Sequence, residues 1–540
     1  MTLAPDRRAE TIRSGTVDPA EAGEPWWSYR RPPAPLARPG ATRPLRTPPA
    51  SGLRDAKEPS RPSPTSPAKA SPSSLDLDRT PPSAAVPLGG AVAVTLILLL
   101  CSRLQIGGVG TVLVPLAALL YASAFARAAK VRHPDEPFYG RWVLYGVLVK
   151  LSASWFRYYT LQNTYDGQGD ATGYDTFGRE FARAWLSGGP EPFVEDLRRT
   201  NFIRWFTGVV YYLFGTNMQA GFFLFGMLAL IGSVLWYRAT VDAVPLANKR
   251  LYLGLVLFAP SIAFWPSSIG KESLMQLGIG IVALGTSIVL RGRLLRGLLV
   301  ALPGGWLLWV VRPHLLALVT LASGVAYLTG RLRNSSSGAG SLLSRPGGAV
   351  IVALLMVFTV SQGAKFLGIE SLSLASIEAE LDEQTERSAQ GGSEFDNGGN
   401  SLNPIYLPRG AATVLLRPFP WETDSPLQLI SSLESAMLGG LILLRLGSVR
   451  LSLSRARRIP FLIYAWTLTL AYSMTFSSFA NFGLLVRQRS LVLPALFVLL
   501  VLEPRALDRA EGDEFDDDEV PASRAEIAAA GRTGGTARGR

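Results

Sequence analysis

The chain has 540 residues, 48% of them hydrophobic, with a single cysteine and a formal net charge of +12. One cysteine excludes an internal disulfide and a cysteine-ligated zinc site, and the basic residues lie beside apolar runs and in tails, so topology accounts for them better than nucleic acid does. The apolar runs are continuous over roughly 14 to 20 residues, close to what crosses about 30 Å of hydrocarbon as helix, which excludes an alternating β-barrel.

The expected fold class is all-α: a polytopic transmembrane helical bundle of about 12 spans with disordered N- and C-terminal tails. Residues 1–84 are rich in Pro, Arg, Ser and Ala and lack apolar periodicity, so they read as a disordered cytoplasmic tail. No short apolar core follows a basic start there, which argues against a cleaved signal peptide. Trp26, Trp27 and Tyr29 beside Arg30 and Arg31 form either a docking point for a protein partner or the lipid surface, or a chance aromatic cluster.

The transmembrane domain is expected over 85–503. Its expected spans are Pro87 to Ser102, Val109 to Arg127, Trp142 to Tyr158, Met218 to Tyr237, Leu251 to Trp265, Ser273 to Leu290, Leu298 to Val311, Leu315 to Gly330, Ala349 to Gln362, Leu427 to Arg445, Pro460 to Ser478 and Leu491 to Leu502. The short stretch Phe202 to Phe214, interrupted by Arg204, is expected at the interface. Residues 504–540, with the acidic run Glu511 to Glu519, read as a disordered acidic cytoplasmic tail that pairs loosely with basic segments.

With the N-terminal tail inside, the inner connections carry most of the arginines and lysines, such as Arg127, Lys130, Arg132, Arg238, Arg291 and Arg455. The short outer connections keep only Arg103, Lys271, Arg312, Arg487 and Arg489. This bias predicts a plasma-membrane protein with both termini cytoplasmic. It also predicts two long outer loops, about 160–201 and about 363–426.

The first outer loop reads Asp166-Gly-Gln-Gly-Asp170-Ala-Thr-Gly-Tyr174-Asp175, and its glycines let several carboxylates converge at the bundle mouth. From Tyr174 the pattern turns helical, with Phe177, Phe181, Ala184 and Trp185 on one face. Asp170 therefore reads either as an N-cap or as a general base at a water-accessible boundary. Asp170, Tyr174 four residues on, and a helix ending near Gly188 resemble the first external loop of the GT-C membrane glycosyltransferases. The resemblance implies that Asp170, or Asp166, is the base for sugar transfer from a polyprenyl-phosphate donor. In that superfamily the acidic loop commonly follows the first helix, whereas here it follows the third expected one.

In Pro260-Ser-Ile-Ala-Phe-Trp265-Pro266-Ser-Ser-Ile-Gly270-Lys271-Glu272, the two prolines interrupt a helix and free backbone groups. Lys271 and Glu272 begin the next helix, as a snorkelling pair or as the polar entrance to a site. The segment resembles membrane polysaccharide polymerases and GT-C-like proteins. Arg312-Pro313-His314 offers a planar fork suited to phosphate, with His314 a hydrogen-bond donor or a proton shuttle. Neither His133 nor His314 has a partner at metal-ligand spacing.

In the second outer loop, Glu370 to Arg387 is expected as an amphipathic surface helix and Gly391 to Asn400 as a linker. Arg409 and then Arg417-Pro-Phe-Pro-Trp421-Glu422 follow, the latter a lid or sugar-stacking edge or else an interface belt. That motif resembles bacterial exopolysaccharide membrane proteins. Arg487 and Arg489 read as a clamp for an anion or as headgroup anchors. They resemble the outer arginines with which O-antigen-type polymerases and ligases bind lipid pyrophosphate. Inside the spans, Lys150 and Glu434 are costly charges and are expected to pair with each other.

Together these resemblances imply a membrane glycosyltransferase that transfers or polymerises sugars from a polyprenyl-(pyro)phosphate donor to a glycan or lipid acceptor on the extracytoplasmic face. Asp170 or Asp166 would be catalytic, and Tyr174, Lys271, Glu272, Arg312, His314, Arg409, Arg487 and Arg489 would bind substrate. No cofactor is required, since the donor is already activated, although Asp166, Asp170 and Asp175 offer a divalent metal three carboxylates. The alternatives are a non-enzymatic transporter or flippase of lipid-linked saccharide, and an assembly scaffold acting through its tails.

Overall fold

The computed structural model describes residues 84–104, 106, 108–333, 350, 352–359, 361, 407–423, 425–477 and 479–503, all within the unit Asp78–Arg540. The expected N-terminal tail, except residue 84, and the expected C-terminal tail lie outside the described residues, as do Glu370 to Arg387 and Gly391 to Asn400. Among the described residues every regular element is a helix, joined by one isolated antiparallel bridge between Ala247 and Leu502.

The order is α1 Ala85–Arg103, α2 Gly110–Arg132, α3 Tyr139–Asn163, α4 Asp170–Ser187, α5 Arg199–Phe214 and α6 Met218–Ala243. Then come α7 Lys249–Phe258, α8 Pro260–Phe264, α9 Lys271–Leu290, α10 Leu294–Val311 and α11 Pro313–Arg333. The last helices are α12 Leu407–Leu416, α13 Pro426–Leu444, α14 Leu446–Arg455, α15 Pro460–Phe476 and α16 Phe482–Leu500.

Local chemistry sets many of these boundaries. The side chains of Asn217, Asn248 and Asn481 cap α6, α7 and α16 by accepting from the amides of Ala220, Leu251 and Leu484. Pro260, Pro313, Pro426 and Pro460 open their helices at a position whose amide would be unpaired anyway.

Among the described residues, seven helices are long and apolar enough to cross a membrane: α1, α2, α6, α9, α10, the Pro313–Gly330 part of α11, and α16. The number reaches eight if Gln428–Leu444 and Leu446–Arg455, bent by 62°, form one span. These helices fit a multi-pass membrane protein. About twelve spans were expected, and the difference has particular causes. The expected span Leu251 to Trp265 is broken into helices of 10 and 5 residues, α15 has only 17 residues, and α3 carries Arg141, Lys150 and Arg157. Ala349 to Gln362 is described only in part, with 352–359 helical.

The interior is organised around α9, which packs α6 on one side and α10 on the other. Small residues make both seams tight: a Cβ at Gly304 would fall 2.6 Å from the Gly278 carbonyl oxygen, and Gly232 faces Gly280 just as closely. α16 is the most buried candidate span, and α4 and α5 form a helical hairpin in which neither helix is a span candidate.

Each end of the bundle carries a network of carboxylates and cations. At the end formed by the α2–α3 turn, Glu136 accepts from Lys249 Nζ and from the Tyr237 hydroxyl, each at 2.8 Å, with Arg238 at 3.6 Å. Asp242 continues the chain of ion pairs to Arg238 at 3.0 Å and Arg291 at 3.4 Å. Burial alone would raise the Glu136 pKa, but the hydrogen bonds from Lys249 and Tyr237 and the nearby cations hold it below the ordinary 4.5.

Candidate functional site: a charged cluster at one end of the bundle

The other end is where α3 finishes, α4, α9 and α11 begin, and α10 stops, with the first turns of α16 beside them. Gly169, not Asp170, is the N-cap of α4 and supplies no side-chain bond. The cap reading of Asp170 is therefore corrected. As the first helical residue, Asp170 leaves its carboxylate for a partner far along the chain, and Arg487 Nη2 reaches its Oδ2 at 3.2 Å.

The same guanidinium turns to Glu272, with Nε 2.9 Å from Oε1 and Nη2 3.1 Å from Oε2. Glu272 sits in the first turn of α9, where the helix dipole favours an anion, and its side chain is 3% exposed against 62% for Asp170. One arginine thus bridges a buried carboxylate and an exposed one.

Three more cations stand in the electrostatic field of these carboxylates. Lys271 is coupled to Asp170 and Glu272, and Arg312 to Glu272. Arg157, at the end of α3, is coupled to both carboxylates. Arg312 donates to Gln488 Oε1 at 2.9 Å, and the Arg157 guanidinium lies over the rings of Trp265 and Phe264 at 4.7 and 5.1 Å. Among the described residues none of Arg157, Lys271 and Arg312 has a carboxylate within ion-pairing distance, so four cations face two carboxylates. That surplus of positive charge is what an anionic oxygen-rich group needs. Tyr174 is buried beneath Asp170, and burial, aided by the two carboxylates, pushes its phenol up to about 12.

The remaining expected site residues stand elsewhere. Asp166 is exposed in the turn before α4, at a positive φ of 47°. Asp175 is buried, accepts a hydrogen bond from the Tyr211 hydroxyl, and pairs with Arg179 at 2.8 Å, so it ties α4 to α5. Among the described residues no group of three or more His, Cys, Asp and Glu side chains gathers to hold a metal ion, so the three aspartates do not form one site. His314 is half-buried with its ring near Phe476, and Arg409 is exposed near the start of α12.

Arg489 differs most from its expected place beside Arg487. The helix α16 begins at Phe482, before both arginines, so they point about 200° apart around it. Arg489 is fully buried and donates to Ser435 Oγ at 2.6 Å, Leu415 O at 3.1 Å and Glu434 Oε2 at 3.1 Å. It is a strut that joins α12, α13 and α16. The Arg417 motif is likewise internal, since Arg417 pairs with its own Glu422 through Nε at 2.9 Å. Phe419 and Trp421 stack beside that pair at 5.0 Å, with Trp421 79% exposed.

The expected Lys150–Glu434 pair is also corrected. Lys150 donates to the carbonyls of Ile262 and Ala263 at 2.7 and 3.3 Å, whereas Glu434 accepts from the Ser261 amide at 2.7 Å.

Arg157 is the cluster member that reading the sequence missed. It lies in an apolar, aromatic stretch, Trp155-Phe-Arg157-Tyr-Tyr159, that reads as the end of a span. Its one local signal is a cation among aromatics at a helix end. No family model matches the chain, and no curated protein or solved structure matches it either.

Proposed function

We propose that the chain is a membrane glycosyltransferase that takes sugars from a polyprenyl-(pyro)phosphate donor on the extracytoplasmic face, in envelope or exopolysaccharide synthesis. The carrying observation is the bridge from Arg487 to both Asp170 and Glu272, with Arg157, Lys271 and Arg312 around it, none of which has a carboxylate within ion-pairing distance among the described residues. In this reading both termini are cytoplasmic, the membrane is the plasma membrane, and further helices bring the span number towards about twelve.

The chemistry follows from the residues at hand. Asp170, exposed and reachable, takes the proton of an acceptor hydroxyl as its oxygen bonds to the anomeric carbon. The bond from that carbon to the phosphate oxygen breaks, and the electron pair leaves with the phosphate. Arg157, Lys271 and Arg312 stabilise the charge that develops there. An incoming phosphate also competes for Arg487, which loosens its hold on Asp170 and frees that carboxylate to face the acceptor hydroxyl.

A second reading, a transporter or flippase of lipid-linked saccharide, is favoured by one observation. The helix α7–α8 is broken between Phe258 and Pro260, and transporters build their binding sites from discontinuous helices. In vitro transfer with a panel of polyprenyl-linked sugars separates the readings, comparing wild type with Asp170→Asn and Asp166→Asn. Loss of product in Asp170→Asn supports the transferase. Full activity in both variants removes the proposed base, and movement of the lipid-linked sugar without any product favours the transporter.

A further inference from the structure

A cavity of about 510 Å³ lies between the α1–α2 pair and the α3–α6 pair, and none of its lining residues belongs to the charged cluster. Its walls include Leu98, Ala118, Ala122, Val147 and Leu230. Thr95 and Tyr121 bring the only side-chain oxygens, and these hydrogen-bond each other at 3.3 Å. Such a wall offers water too few partners to hold it. An empty crevice would also forfeit dispersion contacts along its whole lining.

The crevice opens sideways rather than into the bundle. Ile231, Tyr121 and Phe125 at its rim are 48%, 41% and 37% exposed, and α1, α2 and α6 are candidate spans, so this opening faces lipid. Along α6 the lining runs from Leu224 to Leu235, about 17 Å of helix. That is roughly half of the about 30 Å hydrocarbon thickness, or one leaflet.

A cation stands beyond one end. Arg103 closes α1 five residues after Leu98, about 7.5 Å further along the axis. Its guanidinium rests on the Tyr212 ring at 4.2 Å, and Phe214, two residues later, lines the crevice. Among the described residues Arg103 has no carboxylate within ion-pairing distance. An arginine at this depth, above a slot one leaflet long, has the arrangement of a headgroup contact over an acyl chain.

We propose that the crevice holds one acyl chain of an anionic phospholipid from the leaflet at the Arg103 end, with the headgroup phosphate on Arg103. A polyprenyl chain is far longer than the slot and would leave most of itself outside. This lipid site stands apart from the proposed catalytic cluster and does not depend on it.

The test is native mass spectrometry of the full chain released from nanodiscs containing phosphatidylglycerol and phosphatidylcholine. Wild type should retain phosphatidylglycerol, and Arg103→Gln should lower that retention about fivefold relative to phosphatidylcholine. Ala118→Phe, which fills the slot, should lower retention of both lipids. If it fails to fold, Ile231→Trp at the exposed rim blocks lateral entry without touching the packed interior. Equal retention of phosphatidylglycerol by wild type and variants overturns the proposal. So does retention of an added polyprenyl phosphate in place of the phospholipid.

Discussion

Lys150 and Glu434 hold opposite ends of the same five-residue helix: Lys150 binds carbonyls at the C-terminal end of α8, and Glu434 binds the Ser261 amide at its start. Each charge complements the partial charge that the helix presents to it. Glu434 is shared with the buried Arg489, so the anion completes a second contact on α16.

The two charges should therefore behave as independent supports. Glu434→Gln leaves the Arg489 guanidinium buried without its anion and should cost about 3–5 kcal/mol. Lys150→Met leaves carbonyls unpaired and should cost about 1–3 kcal/mol. The reversed pair Lys150→Glu with Glu434→Lys should be worse than either single change, as read from the thermal midpoint of the detergent-purified protein. Rescue by the double reversal would mean that the two residues are direct partners after all.

Arg487 should couple stability to activity. Arg487→Lys loses the fork that reaches two carboxylates and should destabilise the protein by about 2 kcal/mol or more, since Glu272 stays buried. Adding Glu272→Gln to Arg487→Gln should recover much of the stability lost by Arg487→Gln alone, but none of the transfer activity. A double-mutant cycle on unfolding gives the coupling directly, and a value near zero contradicts the bridge.

Asp170 should show the reverse pattern. Its side chain is 62% exposed, and a pair so exposed contributes at most about 1 kcal/mol. Asp170→Asn should leave the thermal midpoint almost unchanged while lowering transfer by about 100-fold or more, the worth of a general base. Equal losses of stability and activity would reduce Asp170 to a structural role.

Glu136, at the other end of the bundle, should contribute to acid sensitivity. Its folded pKa lies below the ordinary 4.5, so its stabilisation is fully present above that value. It is lost as the pH falls from there through the folded pKa. Glu136→Gln should lower the thermal midpoint at neutral pH and flatten its fall on the acid side. An unchanged acid limb in the variant assigns that limb to other carboxylates.

Reading the residues in order was enough to find the all-helical class, most of the apolar helices and five members of the cluster: Asp170, Lys271, Glu272, Arg312 and Arg487. Hydrophobicity and chain breaks are local properties, and charges at the ends of apolar runs stand out without any knowledge of packing. Asp166, Arg409 and Arg489 carried the same outer-end signal, yet the structure gives them different surroundings. Only the fold decides which end-group charges meet.

The sequence by itself determined that apolar helices would carry polar ends. The tertiary structure alone decided the partners. Arg487 and Asp170 are 317 positions apart in the chain, and nothing local ties them. Helix phase separates Arg487 from Arg489 by about 200°, sending one to the cluster and the other into the interior. The break at Pro260 supplied two helix ends, and these, rather than each other, satisfied Lys150 and Glu434. Arg157 joined the cluster because α3 ends beside Trp265, a contact that depends on how the helices pack and not on the order of residues along either.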